Sequence, residues 1–293
     1  MKRSWARFIS CSAWFGLAVC LATPAVAQSS TAPQASGLPS AEDVAQRDMV
    51  TIGVGGAIVP DYEGSDDYRI IPAGAIRARV NGISISTNGP YLSANLVPQA
   101  GGFSLDAGPI VGLRFDDRRH SDDDVVRLML KRKTAIEVGG FAGFSVRGIL
   151  DPYDTLSFHL DVLHDIGDAY KSTVFDPHVD FSTPVSRKTY VSLSAGAEIV
   201  SDKFARYYFG VTPADSAATG GLLPLYTPNG GLKNLKASLL VNQSLTGDLL
   251  GGLSVFGLVQ YSRLVGDFKR SPIVEQRGSA SQWIGAAGLA YTW

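Results

Sequence analysis

The last residues of the chain, Gln282 to Trp293, alternate so regularly that they leave few folds open. Trp283, Gly285, Ala287, Leu289, Tyr291 and Trp293 share one face at a period of two, the spacing of a β-strand and not of a helix. Gln282 and Thr292 are polar on the other face, where Ile284, Ala286 and Ala290 are small or apolar. A soluble domain ending on an exposed apolar strand would offer a free edge to other chains. A strand that closes an outer-membrane barrel has no free edge, and its aromatic residues can sit at the lipid–water boundary. The last strand of a soluble sandwich would read the same way, so the other end of the chain has to decide.

That end reads as an export signal. Lys2, Arg3 and Arg7 precede an apolar run over residues 13–22, and Ala25-Val26-Ala27 supplies a small-x-small cleavage site. Residues 1–27 are therefore expected to be removed, and the mature chain to begin at Gln28. Both cysteines, Cys11 and Cys20, fall in the leader, and Val19 before Cys20 does not fit a lipoprotein site. The exported protein then has neither disulfide nor thiol chemistry. The leader takes three basic residues and no acid from a chain of formal net charge −1, which leaves no basic footprint for nucleic acid. No mature segment approaches the ~18 consecutive apolar residues of a membrane helix. Glycine is abundant, at 32 residues, and only 18% of residues are charged. Export, cysteine-free composition and period-two patterning together indicate an all-β protein, an antiparallel transmembrane β-barrel of the bacterial outer membrane.

Residues 28–48 are rich in Ser, Ala, Pro and Gln without periodicity and read as a disordered periplasmic tail, which leaves 49–293 for the barrel. Strands are expected at residues 50–59, 68–80, 83–87, 91–97, 103–115, 133–147, 155–166, 173–183, 189–201, 234–245, 253–264 and 282–293. That makes twelve, an even number, falling to ten if the short hairpin 83–97 is an excursion. With both termini periplasmic, the long connections 116–132, 202–233 and 265–281 lie on the outer side and short turns on the other. Asn81-Gly82 is one such turn, since both residues tolerate positive φ. In residues 155–166, Leu156, Phe158, Leu160 and Val162 face lipid, while Ser157, His159, Asp161 and Asp165 face the lumen. The same alternation turns Glu137, Arg147 and Glu198 inward. Glu137, Arg147, His159, Asp161 and Glu198 are thus the lumen-facing polar candidates.

Little of this demands chemistry. Catalysis by His159, Asp161, Asp165 and Ser157 needs a nucleophile, a base and an orienter within hydrogen-bond reach. Alternate strand residues lie ~7 Å apart, so a neighbouring strand would have to complete the set, and polar lumen filling explains it without catalysis. Residues 61–67, Asp-Tyr-Glu-Gly-Ser-Asp-Asp, lack the ligand spacing of an EF-hand loop and read as a solvated acidic turn flanked by interfacial tyrosines. Asp122-Asp123-Asp124 reads as an exposed charge run, and Arg206-Tyr207-Tyr208-Phe209 as a girdle segment at a strand end. No zinc spacing or glycine-rich phosphate loop is present, so no metal and no cofactor is expected.

Long motifs carry a family resemblance. Pro60-Asp-Tyr-Glu-Gly-Ser-Asp-Asp-Tyr-Arg69, after a glycine-rich strand, resembles the N-terminal hallmark of the MltA-interacting protein family, MipA/OmpV. Within it stand Asp61, Tyr62, Gly64, Ser65, Asp66, Asp67 and Tyr68. Residues 208–217, with Tyr208, Phe209, Gly210 and Ser216, resemble the family's central signature. Residues 261–267 and 271–278, with Arg263, Gly266, Asp267, Ser271, Pro272, Arg277 and Gly278, resemble its C-terminal block, as does the ending from Gly288 to Tyr291. The resemblance runs from about Met49 to Trp293; the final residue is Trp where Phe is more usual.

The resemblance implies an outer-membrane barrel without enzymatic activity. The family's namesake is a scaffold between a murein lytic transglycosylase and a murein synthase; other members are described as adhesins, osmotically regulated proteins or antibiotic-response proteins. The leading expectation is therefore a scaffold in peptidoglycan remodelling, using the tail and the periplasmic turns. The alternatives are a small-solute channel and a surface adhesin acting through residues 202–233. Expected partners are outer-membrane lipid and the barrel-assembly machinery, the latter through Gly288, Tyr291 and Trp293 of the last strand.

Overall fold

The alternation of the C-terminal strand recurs around the whole wall. The computed structural model describes residues 47–293 except 100 and 117; the leader and all but the end of the tail lie outside the described residues. In chain order the strands are β1 (Met49–Pro60), β2 (Tyr68–Val80), β3 (Ile83–Asn88), β4 (Tyr91–Asn95), β5 (Phe103–Arg114), β6 (Ala135–Arg147), β7 (Thr155–Asp165), β8 (Thr173–Pro184), β9 (Thr189–Val200), β10 (Gly231–Ser244), β11 (Gly252–Leu264) and β12 (Ser281–Thr292). Each pairs antiparallel with its sequence neighbour, and β12 returns to β1, so the sheet is a closed barrel. The count is twelve. The 83–97 hairpin belongs to the wall and is not an excursion, though it is short: β2 pairs with β3 only from Arg77 to Val80. Pro72, which has no N–H to donate, falls in the one-sided part of β2, where a ladder loses least by it.

Outward positions carry exposed Ile52, Val54 and Ile58 on β1, Leu156, Phe158 and Leu160 on β7, and Trp283, Leu289 and Tyr291 on β12. In a barrel these side chains meet lipid. Tyr261 packs on Trp283 near one rim, and Tyr291 on Trp293 at the other, with ring centroids 4.8 and 4.7 Å apart. The ten residue steps from Trp283 to Trp293 span about 33 Å of strand. At a tilt of ~40° that is about 25 Å of height, the thickness of the apolar band of an outer-membrane barrel. Among the described residues no helix is long and apolar enough to cross a membrane.

The closing seam depends on backbone contact. Gly55 faces Gly288 across β1 and β12. A Cβ on Gly288 would lie 2.2 Å from the Val54 carbonyl oxygen, and one on Gly55 2.1 Å from that of Ala287. The Phe256 ring of β11 lies beside the same glycine, 2.9 Å from where a Gly288 Cβ would stand.

The long connections are not plain loops, contrary to the sequence reading. Residues 116–132 contain two 3₁₀ turns, Arg118–His120 and Val126–Leu128. Residues 202–233 begin with helices α1 (Asp202–Phe209) and α2 (Pro213–Ala218), and 265–281 hold α3 (Gly266–Arg270) and α4 (Pro272–Glu275). Ser201 caps α1 by accepting the Phe204 N–H. Thr212 and Asp215 form a capping box at α2, with Pro213 in its first turn. These are ordinary helix-start signals.

Candidate functional site: a lidded mouth above a polar lumen

The connections at the long-loop end pack into one hydrophobic core. Tyr62, Val126, Met129, Phe204, Tyr208, Phe209, Leu223, Phe268, Ile273 and Val274 are all buried in it, although they come from four separate connections. Polar contacts knit the same segments together. The Asp61 carboxylate accepts the Asp122 N–H, and the Tyr62 hydroxyl donates to the carbonyls of Ile273 and Arg277. Arg277 pairs with Asp123 at 2.8 Å, and Ser271 donates to the Phe209 carbonyl. Arg118, buried, pairs with Asp116 at 2.6 Å and donates to the Tyr208 carbonyl. Burial pushes the Tyr62, Tyr170 and Tyr208 phenols up, so all three stay protonated.

Beneath this lid lies a chain of alternating charges. Arg114 bridges Glu137 (2.7 Å) and Glu198 (3.0 Å); Lys233 bridges Glu198 (2.7 Å) and Glu63 (2.6 Å). A bulge at Leu232/Asn234 brings Lys233 into the network, the re-aiming that β-bulges accomplish. Glu137, fully buried, also accepts from the hydroxyls of Tyr91 and Tyr170, each at 2.8 Å. Tyr91 lies across Gly112, where a Cβ would stand 2.2 Å from its ring. The Phe204 ring from α1 sits 5.1 Å from both the Arg114 and the Lys233 cation. The lid is thus anchored to the wall by a buried aromatic ring over two paired cations.

Acid should loosen it. Burial works against the Asp215 carboxylate, but hydrogen bonds from Arg132 and Thr212 and the Arg132 charge outweigh that and hold its pKa below the usual range. A depressed acid stabilises the fold above its unfolded pKa of about 4, and that contribution is lost as pH falls through the folded value. Amides of residues 202–230 should therefore keep their exchange protection from about pH 8 to about pH 5 and lose it below about pH 4. Loss of protection between pH 8 and 5 would contradict this role for Asp215.

Further down the lumen, β7 and β8 oppose two rows of polar side chains. His159 faces His178, Asp161 faces Asp176, and Ser157 faces Asp180. His159 reaches over Gly143 to Asp106 on β5, with Nε2 to Oδ2 at 3.2 Å. Asp106 also accepts from Ser145, Asn95 and Gln99. Ser145 therefore donates to a carboxylate instead of to the histidine, and it shares a hydrogen bond with Ser157, so the Ser–His contact a hydrolase needs is not made here. Arg147 binds Gln99 near the short-turn end. Asp165, read as a lumen group, spends its carboxylate on the backbone N–H groups of Gly167, Ala169, Tyr170 and Lys171.

The family of MltA-interacting protein MipA matches residues 52–293, most of the chain. The chain belongs to the MipA family. A search of curated proteins finds no match by sequence. Among solved structures, the NanC porin is similar at 11% identity and a TM-score of 0.46, over 82% of this chain and 98% of that one. The CymD monoaromatic hydrocarbon channel aligns at 10% identity and 0.38, over 86% and 91%. The outer-membrane channel DcaP of Acinetobacter baumannii aligns at 10% and 0.37, over 82% and 71%.

The residues that carry the MipA resemblance lie far apart in sequence and converge at the lid. Besides Asp61, Tyr62, Tyr208, Phe209, Ser271 and Arg277, described above, Gly64 and Ser65 bind the Gln282 side chain through backbone N–H and carbonyl. Gly278 lies against the Gly64 carbonyl, where a Cβ would be 1.9 Å away. Gly210 ends α1, Ser216 donates to the Leu223 carbonyl, and Pro272 starts α4. Gly266 takes φ 56°, and Asp267 accepts from Asn229. Asp67 donates its N–H to Ser65, and its carbonyl accepts from Asp61. Asp66 is exposed, while Tyr68 and Arg263 sit at the rim, where the Tyr68 hydroxyl accepts the Trp283 N–H and Arg263 donates to Ser281.

Three sequence expectations are corrected by this geometry. Residues 61–65 are not a solvated turn with an interfacial tyrosine, because Asp61, Tyr62, Gly64 and Ser65 are buried. Residues 206–209 are not a girdle segment but the end of α1, with Tyr208 and Phe209 turned into the core. The run at 122–124 is not idle: Asp123 pairs with Arg277 and accepts the N–H groups of Val125 and Val126. Asp106, His178 and Asp180 are lumen partners that the sequence reading missed. The alternation of Asp176, His178 and Asp180 in residues 173–183 was the available signal.

Proposed function

We propose that this chain is a non-enzymatic outer-membrane barrel that docks periplasmic enzymes of peptidoglycan remodelling, a murein lytic transglycosylase and a murein synthase. The observation that carries the reading is the lid: a packed core with buried ion pairs covers the mouth at the long-loop end, which disfavours an open pore and leaves the short-turn end as the surface for work. The name of the family supports the same direction, since it describes interaction with a transglycosylase. The short-turn end also presents apolar side chains: Leu150 is 83% exposed and Val185 67%. The turns carrying Val185 and Leu249 touch through the Arg187 carbonyl, giving one surface formed by two turns.

The test is capture of periplasmic proteins on the refolded mature barrel in detergent. A transglycosylase or synthase should be recovered at near-stoichiometric yield, and Leu150→Asp with Val185→Asp should cut that yield at least about tenfold, the effect of losing ~1.4 kcal/mol of contact. A folded barrel that recovers neither enzyme would sink the proposal.

The second reading, a small-solute channel of osmotic response, draws on the charged lumen lined by Arg147, His159 and Asp161. It requires the lid to open. An adhesin role would use exposed residues of the 202–233 connection, among them Leu222 and Leu225; unchanged host-cell attachment after replacement of these two by serine would remove it.

A further inference from the structure

Two imidazoles and a carboxylate converge in the lumen with spare coordinating atoms. His159 on β7 and His178 on β8 are directly opposed, which places their Cβ atoms about 5 Å apart on one face, and their ring centroids are 5.4 Å apart. Asp180 stands two residues from His178 on the same face. Its Oδ2 lies 4.0 Å from His159 Nδ1 and 3.6 Å from His178 Nε2, while its Oδ1 is engaged by the Ser194 hydroxyl. One coordinating atom from each of the three residues falls within 4.8 Å of the others.

The other ring nitrogens are engaged as well. His159 Nε2 meets the Asp106 carboxylate at 3.2 Å, and His178 Nδ1 meets the Asp176 carbonyl at 3.2 Å. A histidine held at one nitrogen by a carboxylate or carbonyl presents the other nitrogen, in a fixed tautomer, to a metal. Glycines make the arrangement possible. A Cβ on Gly143 would stand 2.5 Å from the His159 ring, and one on Gly196 3.0 Å from the His178 Cβ. Lys236 is drawn off to Asp176, which neutralises that acid and leaves Asp180 as the carboxylate facing both rings.

We propose that His159 Nδ1, His178 Nε2 and Asp180 Oδ2 form a binding site for one divalent transition cation of the Zn²⁺ class. Imidazole nitrogen with a single carboxylate suits such ions, whereas Ca²⁺ and Mg²⁺ require mostly oxygen ligands. Bonds of about 2.0–2.2 Å to each ligand need the three atoms to close by roughly an ångström, which side-chain rotation provides. The ion would tie β7 to β8, with water completing its coordination from the lumen. The site does not depend on the docking role proposed above.

The experiment is titration of refolded, untagged, metal-free barrel with Co²⁺, read by its visible absorption, followed by displacement with Zn²⁺ against a chromophoric chelator. One ion per barrel is expected. His159→Gln and His178→Gln should each weaken binding by more than about tenfold, and Asp106→Asn by about tenfold, as for an outer-shell partner; His164→Gln, outside the site, should bind as the native chain does. In the unsubstituted protein, Zn²⁺ should protect His159 and His178, but not His120 or His164, from carbethoxylation mapped by mass spectrometry, a readout that survives a failure of either variant to fold. Absence of stoichiometric binding, binding undiminished in the His159→Gln/His178→Gln double variant, or protection spread equally over all four histidines would each overturn the site.

Discussion

Glu137→Ala should destabilise the barrel by about 3–5 kcal/mol, the cost of removing one partner from a buried ion pair, and should loosen the lid with it. Three donors converge on this carboxylate: Arg114 at 2.7 Å and the hydroxyls of Tyr91 and Tyr170 at 2.8 Å. Alanine takes the shared acceptor from donors that are largely buried, where an unsatisfied donor costs about 1–3 kcal/mol. Arg114 retains Glu198, which keeps the loss from being larger. Tyr170 links the network to Phe204 and Tyr208, with ring centroids at 4.9 and 5.8 Å, so the disturbance passes directly into the core of the lid. Glu137→Gln keeps the shape and an acceptor and should lose roughly half as much. Glu275→Ala, on an exposed lid position, should stay within about 0.5 kcal/mol of the native chain. Urea titration in detergent micelles, followed by tryptophan fluorescence, measures all three. A Glu137→Ala barrel within about 1 kcal/mol of the native one would mean that the network is not holding the lid.

A second large effect is expected at the seam. Gly288→Ala should block closure, because the added carbon would lie 2.2 Å from the Val54 carbonyl oxygen and 2.8 Å from the Gly55 Cα. Both neighbours are backbone in the opposing strand and cannot swing aside. The expected loss is at least about 3 kcal/mol, the upper end for overpacking, and here it falls on the contact that turns a sheet into a barrel. Gly285→Ala is the matched control on the same strand, since nothing lies within 4 Å of its added carbon. On an unheated gel the Gly285→Ala protein should run as the compact folded band and Gly288→Ala at the unfolded position. Equal folded yields would show that the seam relaxes to accept a side chain.

The wall was legible in the sequence because a strand declares itself locally. Leu156 to Val162 against Ser157 to Asp161 fixes both faces of β7 within a few residues, and the glycine and asparagine at 81–82 fix a turn. The lid was not legible, for a physical reason. Its helices are four to eight residues long, too short for a hydrophobic period to stand out, and its core joins Tyr62 to Ile273 across 211 positions. An aromatic run such as Tyr207-Tyr208-Phe209 suits an interface as well as a core, and only the tertiary contacts decide. The caps at Ser201 and at Thr212 with Asp215 were the clues that a helix started there. Likewise, Glu137, Glu198 and His159 could be placed on the inner face from alternation, but their partners Arg114, Lys233 and Asp106 depended on register across neighbouring strands.

Conductance of the refolded mature barrel in a planar bilayer tests the closed mouth most directly. The native protein should be silent at neutral pH, and Phe204→Ala combined with Glu137→Ala should open steps of steady current through the charged lumen. Steady, ungated current from the native barrel would contradict the lid as a seal and move the channel reading ahead of the docking one.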